Sequence, residues 1–287
     1  MTIRELTAFR PPRRVRMIAL DVDGTLLDPH EQISPRVRKA IRDAIADGCL
    51  VTLATGRRLV GAQFIAQELG LDLPLILHGG AVVQDSATGA VIYQHPHEPE
   101  TVEALVDLFL RHGRQPIVYE SPGFGGRLYV GDAALDSEAT RQYEALRGPF
   151  VRVPRDELRR IRHVLSVATL SEPGTLGELR DAVAAIADTS PLLSPWHLLE
   201  CDALEVFPAG CSKARALEHV AAAHGITMDE IMAIGDGLND CEILGAVGLG
   251  VAMGNACPEA LAVSRVQVGR NDEDGVAEAI ERFVLRH

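Results

Sequence analysis

No apolar run in this sequence approaches the about 20 residues that a membrane-crossing helix requires; stretches such as Leu73–Leu77 are far shorter. Cysteine is sparse, scattered as Cys49, Cys201, Cys211, Cys241 and Cys257, with no C-x-x-C pair. An odd, widely spaced set does not read as a disulfide framework or a structural zinc site, and it points to a reducing cytoplasm. Basic charge is in deficit: 28 Lys and Arg against 40 Asp and Glu leave a formal net charge of −12. Nonspecific nucleic-acid binding needs a basic face, which this balance does not support. An anionic ligand would need a local pocket of metal or positive side chains, which screening over roughly 8–10 Å permits. The basic segment Arg10–Arg16 precedes only Met17–Leu20 before Asp21 interrupts. That is too short for the apolar stretch of a signal peptide, and it reads as a tail leading into a first strand. Internal repeats and low-complexity segments are absent from the sequence.

What is present suits a globular chain of two domains. There are 287 residues, 47% of them hydrophobic and 24% charged, enough for a core and a smaller second domain. Val15–Leu20, Cys49–Ala54 and Pro74–Leu77 read as short buried strands, separated by helices over 34–47 and 59–69. Ser34 caps the first helix, Pro35 sits in its first turn, and Val37, Ile41 and Ile45 share a face. Strand–helix alternation with continuous apolar strands predicts a doubly wound α/β fold around a parallel sheet. Near residue 83 the rhythm changes. A hairpin around a glycine turn, a helix over 101–111, strands near 116–119, 127–130 and 163–170, a helix over 175–187 and a strand over 199–207 predict an inserted α+β domain over 83–207. The parallel rhythm returns over 208–287, so residues 1–82 and 208–287 form the expected core.

Chemistry-bearing residues gather where strands end. Asp21-Val-Asp23-Gly24-Thr25 follows the first strand, Thr55-Gly56-Arg57 the second, and Gly235-Asp236 a later one; Lys213 opens a helix. In an open parallel sheet, ligands bind at the carboxyl ends of strands. A carboxylate can attack phosphorus and form a covalent intermediate. A second carboxyl two residues on can protonate the leaving oxygen and then deprotonate water. Phosphate and carboxylate repel each other, so a cation must sit between them. Mg²⁺ prefers oxygen ligands, which Asp21, Asp236 and the Asp23 backbone carbonyl can supply. Lys213 offers fixed positive charge, and the Thr55 hydroxyl with nearby backbone N–H groups can hold phosphate oxygens.

These residues, with Gly235-Asp236-Gly-Leu-Asn239-Asp240, resemble the four motifs of the haloacid dehalogenase superfamily in their usual order. Gly250-Val-Ala-Met-Gly-Asn255-Ala and Asn271-Asp-Glu-Asp-Gly-Val-Ala277 look like its Cof-type branch. The resemblance implies a Mg²⁺-dependent phosphatase of small phosphorylated metabolites, with sugar phosphates as the candidate class. Asp21 would be the nucleophile and Asp23 the general acid/base. Thr55, Gly56, Lys213 and Asn239 would bind the phosphoryl group or its surroundings. Asp21, Asp23 and Asp236 would hold the metal, with Asp240 and Arg57 in support. Asn239 and Arg57 also admit structural readings, as a turn residue and as the partner of a core carboxylate. The 34 positions from Asp21 to Thr55 leave no room for a domain, whereas the 158 from Thr55 to Lys213 do. That placement resembles the C2-type caps, which cover the site and read the leaving group.

Two rival functions stay open at this level: a phosphomutase of the phosphomannomutase type, and a binding protein that keeps the fold without turnover. Where many Cof-like chains carry Asn-Gly-Ala, this one has His78-Gly79-Gly80-Ala81, and His78 reads as a substrate contact or a strand cap. His95-Pro-His97 lacks a further ligand cluster and reads as a loop rather than a metal site.

Overall fold

The computed structural model describes residues 14–196 and 199–285. Most of the basic N-terminal segment therefore lies outside the described residues. The chain divides into two compact units, residues 1–89 with 212–287, and residues 90–211.

The first unit opens with β1 (Met17–Leu20), α1 (Pro35–Ala46), β2 (Leu50–Leu53), α2 (Leu59–Leu69), β3 (Leu75–Leu77) and β4 (Val82–Gln84). In α1 the Ser34 hydroxyl accepts from the Val37 N–H, and Val37, Ala40, Ile41 and Ala44 are buried. This is the i, i+3, i+4, i+7 stripe of a helix laid on a sheet. Gly70 ends α2 in the left-handed region at φ 67°, the usual helix stop for a residue without Cβ.

The second unit contains β5 (Val91–Gln94), α3 (Pro99–Arg111), β6 (Ile117–Glu120), β7 (Leu128–Val130), α4 (Glu138–Arg147), β8 (Val151–Arg152), α5 (Arg155–Leu158), β9 (Val164–Ser171), α6 (Gly177–Val183), β10 (Thr189–Trp196) and β11 (Cys201–Pro208). Its sheet runs β10-β11-β9-β6-β7-β8, antiparallel except for the parallel pair β7–β8. One core packs Val102, Leu105, Val106 and Phe109 of α3 and Leu179 and Val183 of α6 with Val118, Val167, Leu204 and Val206 of the sheet. A second packs Ala139 and Tyr143 of α4 with Ile117, Tyr119, Ala168 and Leu170.

Three elements here depart from the sequence expectation. The helix expected over 175–187 ends at Val183, where the pattern tightens: the N–H groups of Ala185 and Ile186 donate three residues back, to Ala182 O and Val183 O at 3.3 and 2.8 Å, and the Thr189 hydroxyl donates to Ile186 O at 2.8 Å just beyond the helix. Residues 189–196 then form β10, which Pro191 and Pro195 disguise; the sheet order puts β10 at an edge, where proline is tolerated. The charged stretch after β7 holds α4, of which only Ala139, Thr140 and Tyr143 are buried, too narrow a stripe to stand out. His95 and His97 act as pins. Their Nε2 atoms lie 3.2 Å from Ala209 O and 3.0 Å from Val206 O, tying the start of this unit to its end.

The first unit resumes with α7 (Lys213–Ala223), β12 (Ile231–Gly235), α8 (Cys241–Ala246), β13 (Leu249–Ala252), α9 (Pro258–Val263), β14 (Val266–Gln267) and α10 (Gly275–Phe283). The sheet order is β14-β13-β12-β1-β2, with every pairing parallel. All residues of β1, β12 and β13 are buried, as expected for strands covered on both faces. β3 pairs antiparallel with β4 and meets the parallel sheet through a single bridge, Ala54 to Ile76. The order reverses direction at β1, the topological switch point where ligands of such sheets gather. No described helix is long and apolar enough to cross a membrane.

Candidate active site

Asp21 and Asp236 are the first residues past the ends of neighbouring strands β1 and β12. The Asp21 N–H still donates to Ile234 O at 3.0 Å, so the backbone under the carboxylate is part of the sheet. The chain then turns at once, with the N–H groups of Leu26 and Leu27 both donating to Val22 O. Gly24 makes this turn possible. Its φ is +78°, and a Cβ there would sit 2.4 Å from Asp236 Oδ2, so neither the conformation nor the space admits a side chain.

Lys213 is the first residue of α7, whose N-cap Ser212 accepts from the Arg215 N–H. Its ammonium donates to Asp21 Oδ1 and to Asp240 Oδ1, each at 2.6 Å. The lysine is 1% exposed. Asp240 Oδ2 accepts from the N–H groups of Asp236 and Gly237 at 3.0 and 2.9 Å. Asp240 thus fixes both the lysine and the backbone under Asp236. The Thr25 hydroxyl donates to Asp236 Oδ1 at 2.8 Å.

Burial opposes the charge on Lys213, yet Asp21 and Asp240 more than offset it and hold its ammonium above the ordinary lysine value. Asp21 is pushed well above the carboxylate range by burial and then by the charge of Asp240, against the pull of Lys213. Asp236 is pushed up to about 6, chiefly by burial. The cluster is short of positive charge: three carboxylates share one ammonium.

That shortage, and the donor chemistry, fit a hard divalent cation. Ligand oxygens of Asp21, Asp236 and Asp240 lie within 4.8 Å of one another, and carboxylate oxygen is what Mg²⁺ prefers. Both oxygens of Asp240 are already committed. The hydrogen bonds to Asp21 and Asp236 use only Oδ1 of each, so these two carboxylates are the ones with capacity left for a cation.

Thr55 is fully buried, its hydroxyl oxygen accepting from the Arg57 N–H at 3.1 Å, which leaves its proton to donate. Gly56 beside it is exposed. Arg57 grips Asp23 with both arms, Nε to Oδ2 at 2.9 Å and Nη2 to Oδ1 at 2.6 Å. Asn239 is exposed on the turn 237–240, and its side chain makes no hydrogen bond to a described residue. The structure therefore joins Asp21, Asp236, Asp240 and Lys213 in one cluster and Asp23 with Arg57 and Thr55 in a chain of hydrogen bonds; Asn239 stands outside both.

The turn His78–Gly80 braces the backbone of Thr55 and Arg57. The N–H groups of His78 and Gly79 donate to Arg57 O and Thr55 O, each at 3.1 Å. A Cβ on Gly80 would lie 2.2 Å from Ser212 O, so its absence lets this turn pack against the start of α7. Sequence reasoning gave no role to three other residues here. Thr25 holds Asp236, Asn255 donates from Nδ2 to Gly24 O at 2.7 Å, and Asn271 donates from Nδ2 to Leu27 O at 2.7 Å. Asn255 Oδ1 also accepts from the Asn271 N–H at 3.0 Å. The two asparagines clamp the loop after Asp21. Their motifs were visible, but their partners lie more than 200 positions away.

Comparison with known proteins matches residues 18–280 to the haloacid dehalogenase-like hydrolases. The chain is 32% identical over 272 residues to the 5-amino-6-(5-phospho-D-ribitylamino)uracil phosphatase of Bacillus subtilis, covering 94% of this chain and 96% of that one. It is 30% identical over 249 residues to the HMP-PP phosphatase of Cronobacter sakazakii, covering 86% and 87%. Among solved structures, a haloacid dehalogenase-like hydrolase from Bacteroides thetaiotaomicron superposes with a TM-score of 0.76 at 25% identity, over 94% of this chain and 99% of that one.

Proposed function

The chain belongs to the haloacid dehalogenase-like hydrolases of the Cof type, and on that premise we propose that it is a Mg²⁺-dependent phosphatase of small phosphorylated metabolites, working through an aspartyl phosphate on Asp21. The observation that carries this reading is the buried ammonium of Lys213, 2.6 Å from both Asp21 and Asp240. A lysine so placed keeps the nucleophile's carboxylate aimed and offsets part of the negative charge that a phosphate dianion must approach. The names of the phosphatases above support the substrate class.

Asp21 and Asp236, with the Asp23 backbone carbonyl, would hold Mg²⁺. The ion supplies positive charge that screens the dianion from the carboxylate and stabilises the charge developing on phosphoryl oxygens. Asp21 Oδ2 attacks phosphorus as the bond to the leaving oxygen breaks. Lys213 and the Thr55 hydroxyl hold phosphoryl oxygens, with backbone N–H groups near Gly56 beside them. Asp23 gives its proton to the leaving oxygen, then takes one from the water that opens the aspartyl phosphate. Asp240 keeps Lys213 in line. The inserted unit is the proposed source of substrate choice, and the reducing cytoplasm is the proposed compartment.

The test is phosphate release from p-nitrophenyl phosphate and a panel of phosphorylated metabolites, with Mg²⁺ and with chelator. Metal-dependent release without a bisphosphate activator is the expected result. A strict need for the activator identifies a phosphomutase, and no turnover across the panel identifies a binding protein.

A further inference from the structure

The two oxygens of Asp23 are both taken by one guanidinium. Arg57 donates from Nε to Oδ2 at 2.9 Å and from Nη2 to Oδ1 at 2.6 Å, the two-pronged geometry that only arginine offers a carboxylate. The halves of this pair differ in freedom. The Arg57 side chain is 12% exposed and that of Asp23 is 60% exposed. Arg57 is anchored further by donation from Nη1 to Gly61 O at 3.2 Å. Its backbone is held on both sides, by the Thr55 hydroxyl and by the His78 N–H. The arginine is therefore the fixed jaw and the aspartate the moving one. A second carboxylate stands by: Glu31 Oε1 lies 3.8 Å from Nη2, close enough to take up the guanidinium when Asp23 turns away.

A carboxyl that delivers a proton to a leaving oxygen must point one oxygen at it, and that oxygen cannot also lie in the fork. We propose that Arg57 is a positioning residue for Asp23: it parks the carboxylate in one rotamer between turnovers and releases one oxygen when the leaving group arrives. The inference rests on the reading of Asp23 as general acid/base. In the fork Asp23 is a carboxylate; on turning away it takes a proton from solvent, and as the Asp21 Oδ2–P bond forms and the P–O bond to the leaving group breaks, that proton passes to the departing oxygen. Asp23 later takes a proton from the attacking water and gives it up to solvent as it returns to the fork.

The role separates by leaving group. A p-nitrophenolate departs without a proton, whereas the alkoxide of a sugar phosphate does not, and general-acid help is worth roughly 10²–10⁴-fold. We compare kcat/KM for p-nitrophenyl phosphate and glucose 6-phosphate in the native enzyme, Arg57→Gln, Asp23→Asn and the double variant. Since kcat/KM reports the first chemical step, slow opening of the aspartyl phosphate does not mask the comparison. Arg57→Gln is expected to lose roughly tenfold or more on glucose 6-phosphate and under about threefold on the aryl ester, with under about twofold further loss in the Asp23→Asn background. Arg57→Lys keeps the charge without the fork and is expected to show the same selectivity to a smaller degree; it serves where the glutamine variant does not fold by thermal melt. Equal losses on both substrates, or an undiminished loss in the Asp23→Asn background, overturn the proposal while leaving the acid/base reading standing. An Asp23→Asn variant as active as native on glucose 6-phosphate removes the acid/base reading and this proposal with it.

Discussion

The Nζ of Lys213 touches Oδ1 of Asp21 at 2.6 Å across 192 residues of sequence. The lysine is 1% exposed on its side chain and the aspartate 8%, so this is a buried ion pair with Asp240 as its third member. Removing one partner of such a pair leaves an uncompensated charge in a low-dielectric site. Lys213→Met is expected to lower the unfolding free energy by about 3–5 kcal/mol and to abolish turnover. Asp21→Asn is expected to abolish turnover yet unfold in chelator no earlier than native, because burial and Asp240 already disfavour the charge on Asp21. Denaturant melts of both variants check the contrast; a Lys213→Met protein as stable as native contradicts it.

Gly24 gives the second prediction. At φ +78° with Asp236 Oδ2 in the path of a Cβ, Gly24→Ala combines left-handed strain with a clash against a carboxylate. The expected loss is roughly 1–3 kcal/mol of stability, together with most of the activity, since Asp236 must move. Gly48→Ala is the control. It shares the positive φ, at +84°, but nothing lies within 4 Å of its Cβ, so it should lose some stability and no activity.

The asparagine clamp predicts a catalytic defect without a gross structural one. Asn255→Ala and Asn271→Ala each free one carbonyl of the loop after Asp21. Each should lower stability by about 1 kcal/mol and kcat by roughly tenfold, on the scale by which misplaced catalytic groups lose rate. Because Asn255 Oδ1 holds the Asn271 N–H, the two effects should be less than additive. Full kcat in both variants would mean the loop holds its shape unaided.

His97 sets a pH dependence remote from the catalytic cluster. Burial lowers its pKa below the ordinary histidine value, against the bond to Val206 O. A histidine depressed in the fold contributes stability that is present above its unfolded value of about 6.5 and lost as the pH falls through the lower folded value. Urea midpoints measured from pH 7.5 down to 5 should fall more steeply for the native protein than for His97→Gln. Parallel curves would show that His97 does not titrate on unfolding.

Much of this was legible in the chain. The parallel strands announced themselves as short apolar runs, and the aspartates stood where those runs stopped. α1 was marked by Ser34 and Pro35 and by its apolar spacing. What stayed hidden had physical reasons. Prolines 191 and 195 masked an edge strand whose one partner in the sheet, β11, follows it in the chain. α6 ended early in three-residue turns, Ala185 to Ala182 and Ile186 to Val183, that no periodicity reveals. α4 buries too few side chains to show a stripe. At the site, Arg57 could be read as a carboxylate partner, but that its partner is Asp23 depends on the turn at Gly24. Asn255 and Asn271 carry a recognisable pattern whose purpose appears only when Gly24 and Leu27 are folded against them.

The most direct test of the account is to look for phosphate on Asp21 itself. Asp23→Asn protein, mixed with p-nitrophenyl phosphate and Mg²⁺ and quenched in acid within milliseconds to seconds, should carry one phosphoryl group on the peptide containing Asp21, released by hydroxylamine and missing in the Asp21→Asn/Asp23→Asn double variant. Nitrophenol release in a burst with no phosphoryl group on that peptide would contradict the central claim.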